Sequence, residues 1–354
     1  MKLFRLLSFL LAWAVFACSP ETPEGPLGEY ETGVLIANEG AFGANDGEVF
    51  HYVPESETLK TNVFETVNGR PFAGLLQAIV EQQGRMYLVA NTGKVEIVNP
   101  KDFKSIGAVT ADLVQPRSLA SSRDKLYIAD WGPYDANFNN PDSYVAVVNS
   151  LDGGSVAKKI KVPSRPESVF ADGNFLYIAN QAAGKLTILS TSTDAIVGSE
   201  DVLGAPEKLQ IINGRLFLYA RDADRIYFHE INRGNQRILS TRTFTLSDAT
   251  ADFAKGERDD IYVITSSGWP DYNDAVAKIN LETEKIIKAD WYAGSGFYGI
   301  GFDPNTKQVF VANHAGFTGN GTVSILDANG QETKKLNVGR GPNGFFMNQP
   351  ANPS

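Results

Sequence analysis

Cysteine occurs once in these 354 residues, and histidine and methionine three times each. A single thiol excludes an internal disulfide framework, and no disulfide-linked partner is expected. The three histidines form no pair at metal-ligand spacing. Asn45-Asp-Gly47 lacks the alternating acidic ligands of a calcium loop. The apolar run from Leu6 to Ala17, broken only by Ser8, is too short to cross a bilayer. Positive charge is also scarce: 32 Lys and Arg against 41 Asp and Glu leave a net charge of -9, with no basic cluster. Such a chain repels phosphate backbones, so nucleic acid is not an expected partner.

What the chain has is repetition. A short apolar phrase with a small or polar end recurs seven times, closing at Asn38, Asn91, Asp130, Asn180, Ala220, Thr265 and Asn313. Leu126-Tyr-Ile-Ala-Asp130 and Leu176-Tyr-Ile-Ala-Asn180 are typical copies. The spacing, 39 to 53 residues, is that of four-stranded propeller blades. The third copy shows all four strand-like segments, at 117–122, 125–129, 144–149 and 156–162, separated by Gly, Pro, Asn and Asp clusters. Pro116, Pro166 and Pro206 each precede the end of the next phrase by 14 residues and open an innermost strand, where a missing N–H is tolerated.

The fold class expected is therefore all-β, a seven-bladed β-propeller forming one domain over 30–350. The first copy lacks an innermost strand, and Pro342-Asn-Gly-Phe-Phe-Met347 reads as one with no blade after it. Pairing the two closes the ring and removes two open edges.

Ahead of the ring, Lys2 and Arg5 precede the apolar run, which stops at Cys18. Residues 1–17 resemble a bacterial lipoprotein signal peptide, with Val15-Phe16-Ala17-Cys18 in the place of the lipobox and Phe16 departing from the usual small residue. The resemblance implies lipidation at Cys18, an anchor of more than one acyl chain and a location at the outer membrane or cell surface. Residues 18–29, rich in proline and glycine, would be the lipidated cysteine and its tether.

The Leu-Tyr-Ile-Ala-Asn phrases, the Gly-Lys-Leu-Thr-Ile188 and Gly-Thr-Val-Ser-Ile325 strands and the prolines resemble YVTN-type seven-bladed propellers. Together with the leader, the chain is similar to propeller lipoproteins of the Bacteroidota surface, some of which bind cobalamin above a TonB-dependent transporter. That resemblance implies capture of a nutrient, with cobalamin or another cobamide as ligand, and a transporter as partner.

Candidate binding residues come from the loops that follow the phrases. Four of these loops are long, and each carries an aromatic four positions on: Phe42, Tyr134, Trp269 and Phe317. Asparagine stands seven positions on in three of them, at Asn45, Asn137 and Asn320, and Tyr272 takes that place in the fourth. Rings interspersed with amides suit a ligand that is part apolar and part hydrogen-bonding. Arg70 and Arg117 from inter-blade loops, Trp131, and His314 as a donor to a bound metal such as cobalt complete the expected ligand set. The competing expectation for the arginines is bracing of neighbouring blades through Glu167 and Glu207.

These features favour a binding protein without a resident cofactor or metal. The alternatives are a propeller enzyme such as a lactonase or other hydrolase, which needs convergent carboxylates or an acid and base pair, and a module that docks protein or glycan on its aromatics.

Overall fold

The computed structural model describes residues 27–348. Leader, Cys18 and most of the tether lie outside them. Twenty-eight strands form seven separate four-stranded antiparallel sheets. Blade three, for example, runs Pro116–Ser122, Lys125–Asp130, Tyr144–Val148 and Val156–Lys161 from axis to rim. Blade one is composite: Pro342–Met347 pairs with Val34–Asn38, which pairs with Glu48–Val53 and then Thr58–Lys60. The ring is closed by the last strand, as the missing innermost segment of the first repeat predicted.

Second strands are apolar throughout because both faces are covered by neighbouring blades. Val34–Asn38 is buried at every position and Lys125–Asp130 at all but its first, whereas the rim strand Val156–Lys161 is largely exposed. The repeated phrase now has a physical reason at two of its positions. Its tyrosine reaches out of its own blade in two copies: Tyr87 donates to the Leu151 carbonyl and Tyr127 to that of Thr191. Its terminal Asn or Asp secures the turn leading into the innermost strand. Asp130 accepts from the backbone N–H groups of Val114 and Gln115, and Asn180 donates to the Pro163 carbonyl.

All seven innermost strands bulge at the same end. Register shifts between Pro116 and Ser118, Pro166 and Ser168, Pro206 and Lys208, and Leu76 and Ala78 leave Arg117, Glu167, Glu207 and Gln77 unpaired in the ladder. Asn343 is left over in the closing strand, and wider shifts free Thr250 to Asp252 in blade six and Tyr298 with Gly299 in blade seven. A bulge bends its strand and re-aims the extra side chain. Repeated around the ring, it opens a funnel at the face where the second strands end.

Candidate functional site

The funnel is a cavity of about 640 Å³, within the range of small-molecule sites. The bulged residues Gln77, Arg117, Glu167, Glu207, Thr250, Tyr298 and Asn343 all line it. Its wall is two-sided. Blades two to five give a polar arc, while blades six and seven give Tyr272, Phe297, Tyr298, His314 and Phe317.

The polar arc is cross-braced. Arg117 sends Nε and Nη2 to the Glu167 carboxylate, at 2.8 Å for the shortest contact, and Nη1 to Gln77 Oε1 at 2.7 Å. The guanidinium also lies over the Trp131 ring, 4.4 Å from its centre, with Arg165 over the same ring at 4.8 Å. Gln181 donates to Glu207, and Lys208 pairs with Asp252. Arg221 approaches Glu207 Oε1 at 3.0 Å, but neither atom has a partner in hydrogen-bonding geometry, so the contact is a charge pair only. Bracing by Glu167 thus accounts for Arg117, whose side chain still borders the funnel.

The aromatic arc is a box of four rings. His314, 3% exposed, lies flat on Phe317 with centroids 4.2 Å apart. Tyr272 stands edge-on to His314 at 5.1 Å, and Tyr298 stands edge-on to both His314 and Phe317, at 5.9 and 5.0 Å. The loops that carry the box are strained. Tyr272 sits at φ 44°, and Ala315, Gly316 and Phe317 take three successive positive values of 47°, 70° and 61°. Bulky residues in the left-handed region cost about 1–2 kcal/mol each and persist where surrounding contacts over-determine them, often at binding sites.

His314 Nδ1 accepts the Gly316 N–H at 2.9 Å. The neutral ring therefore carries its proton on Nε2, and burial keeps its pKa below the ordinary histidine value. Coordination of cobalt or another metal through Nε2 would require giving up the Gly316 contact. Among the described residues no cluster of three or more His, Cys, Asp or Glu is placed to hold a metal.

Behind Tyr298, its hydroxyl donates to Glu39 Oε2 at 2.5 Å. Burial pushes the Glu39 carboxyl up, against the pull of that bond and of Arg117. Asp274, buried nearby, accepts the Phe297 N–H with one oxygen and leaves Oδ1 without a partner.

Of the residues expected from sequence, Arg117, Tyr272, His314 and Phe317 border the funnel. Phe42 and Trp269 instead project from their loops, 97% and 82% exposed. Tyr134 packs edge-on against Phe138, both exposed, and the neighbouring Asn137 is exposed as well. Asn45 and Asn320 share a different depression between blades seven and one. Arg70 is tied to Glu96 through both terminal nitrogens and covers the Phe64 ring. Sequence reasoning passed over Gln77, Asn343 and Glu39 as site residues, whereas Tyr298 was expected at the channel mouth from its inter-blade loop. The signal available for part of the set was the position after a strand-opening proline, occupied by Arg117, Glu167, Glu207 and Asn343.

A family model described as Domain of unknown function (DUF5074) matches residues 32–351. Similar solved structures include a quinonprotein alcohol dehydrogenase-like protein from Bacteroides thetaiotaomicron VPI-5482, with 11% identity and a TM-score of 0.68 over 90% of this chain and 79% of that one. Putative 6-phosphogluconolactonases from Bacteroides fragilis NCTC 9343 and Bacteroides uniformis ATCC 8492 each reach 0.62. Their identities are 12% and 13%, over 88% of this chain and 96% and 99% of theirs. Identities this low carry the fold alone. No curated protein matches the chain.

Proposed function

Because the chain belongs to the DUF5074 family, whose description assigns no activity, its role must be read from the funnel, and we propose that it is a surface-anchored binding protein. In this reading it takes a small nutrient molecule into the funnel and passes it to an outer-membrane TonB-dependent transporter. The observation that carries the reading is the pairing of a rigid, cross-braced polar arc with a strained aromatic box in one cavity of ligand size. Binding needs shape, stacking and hydrogen bonds, and this wall supplies all three.

Lipidation at Cys18 and a surface location are part of the proposal and rest on the leader's resemblance to lipoprotein signals. Cobalamin is the ligand to try first, on the resemblance to cobalamin-binding propellers. A corrinoid is broad, so it would sit across the mouth and place only a side group against the Tyr272, His314 and Phe317 cluster. The funnel's carboxylates Glu167, Glu207 and Asp252 all face cations, an arrangement suited to holding shape more than to moving protons.

Calorimetric titration with cyanocobalamin, using haem and a sugar mixture as controls and Tyr272→Ala as the variant, tests the reading. Binding that the variant weakens supports capture in the funnel. Binding unchanged by the variant moves the site elsewhere. No binding by any compound, joined to turnover of a lactone, replaces the reading with the hydrolase one.

A further inference from the structure

We propose that the aromatic box of the funnel is a subsite for an organic ammonium group, so that the captured molecule carries a quaternary or alkylated amine head. The inference rests on the funnel being the ligand site and adds the chemical class of what enters it.

Three observations converge. The first is shape: Tyr272, Tyr298, His314 and Phe317 pack on one another and all border the cavity, so an ammonium group would lie against the cluster from the cavity side. Aromatic faces attract a cation through the ring quadrupole, most strongly where water is excluded, and clustered rings are the usual receptors of quaternary ammonium.

The second is charge. Two carboxylates flank the box, Glu39 behind Tyr298 and Asp274 beside Phe297. Neither forms an ion pair with a cation among the described residues. Arg117, whose field reaches Glu39, is committed through its fork to Glu167, and Lys208 is committed to Asp252. His314 contributes no charge in its neutral form. The surroundings of the box are therefore negative on balance, in a chain whose net charge is -9.

The third is hydrogen bonding. Glu207 Oε1, Thr250 Oγ1 and Asn343 Oδ1 belong to residues of the funnel wall and are buried without a hydrogen-bond partner. The Asn343 and Glu207 oxygens only accept and the Thr250 hydroxyl can accept, which suits a ligand whose other groups donate. A purely anionic ligand would leave Asn343 Oδ1 unsatisfied and would be repelled by the two flanking carboxylates, with Arg221 offsetting only Glu207.

The test compares choline with 3,3-dimethyl-1-butanol, which has the same outline and no charge. Each is titrated against the full chain in a sugar-headgroup detergent and followed by ligand-observed saturation-transfer NMR. Choline should bind roughly tenfold more tightly than the alcohol, a ratio within the reach of a desolvated cation–π site. Phe317→Ala should remove most of that advantage, and Tyr298→Phe, which keeps the ring, should retain it. Equal binding of the two probes, or choline binding untouched by Phe317→Ala, overturns the inference. If cobalamin or another compound binds with dependence on Tyr272 while choline neither binds nor competes, the ammonium class is wrong and the capture reading stands. If nothing enters the funnel, both fall.

Discussion

His314 and Phe317 lie 4.2 Å apart and 6° from parallel, three residues apart in a loop that turns through left-handed backbone to bring them together. The stack, the Gly316 N–H bond to His314 and the Phe317 N–H bond to the His314 carbonyl hold a turn that its own dihedral angles oppose.

Relieving that strain at Ala315, whose φ is 47° and whose side chain is not part of the box, should stabilise the protein. Ala315→Gly is expected to raise unfolding free energy by up to about 1 kcal/mol, reduced by the extra freedom glycine gains when unfolded. Urea titration measures it; a loss of more than that amount would show the turn is not strained.

Arg117→Ala should cost about 3 kcal/mol, because it leaves the Glu167 carboxylate and Gln77 without their donor and takes one cation off Trp131. Arg117→Lys should recover only part, since one ammonium cannot reproduce the fork. Full recovery in denaturant titration would mean charge alone matters.

Glu39 gives a pH signature. Burial raises its folded pKa above the ordinary carboxylate value, so the folded state holds the proton more tightly than the unfolded one. Its stabilising contribution is present below about pH 4.3 and is lost as pH rises through the raised folded value. Glu39→Gln should therefore flatten this part of the stability profile and leave the variant more stable than the parent at pH 7. Thermal melts from roughly pH 4, near the free carboxylate value, to about pH 7 would refute this if the two profiles stayed parallel.

Gly299 and Gly344 form a matched pair. A Cβ at Gly299 would stand 2.6 Å from the backbone of Asn343 in the closing strand, whereas one at Gly344 meets nothing within 4 Å. Gly299→Ala should cost on the order of 1–3 kcal/mol and loosen the closure, with Gly344→Ala close to neutral. Comparable melting temperatures for the two would mean the closing strand shifts freely.

Much of the architecture is legible in the sequence. Seven phrases gave seven blades, and Pro342 to Met347, left over at the end, closed the first. The funnel was only half readable. Phe42 and Trp269 share their spacing with Phe317, yet two project and one turns in, because direction is decided by local dihedral angles that spacing does not encode. Tyr272, three residues after Trp269, faces the funnel through its own left-handed backbone. Gln77 and Asn343 went unnoticed because a bulge is a property of register, visible only when both strands of a pair are seen.

Composite closure also fixes a polarity. Strand Val34–Asn38 leaves the face opposite the funnel and climbs toward it, while Pro342–Met347 descends the other way, so both described ends of the chain lie together beneath the ring. Asn348 ties them there through its side-chain bond to the Tyr30 carbonyl. An attachment through residues ahead of Tyr30 would therefore hold the protein by its base and leave the mouth on the side away from it.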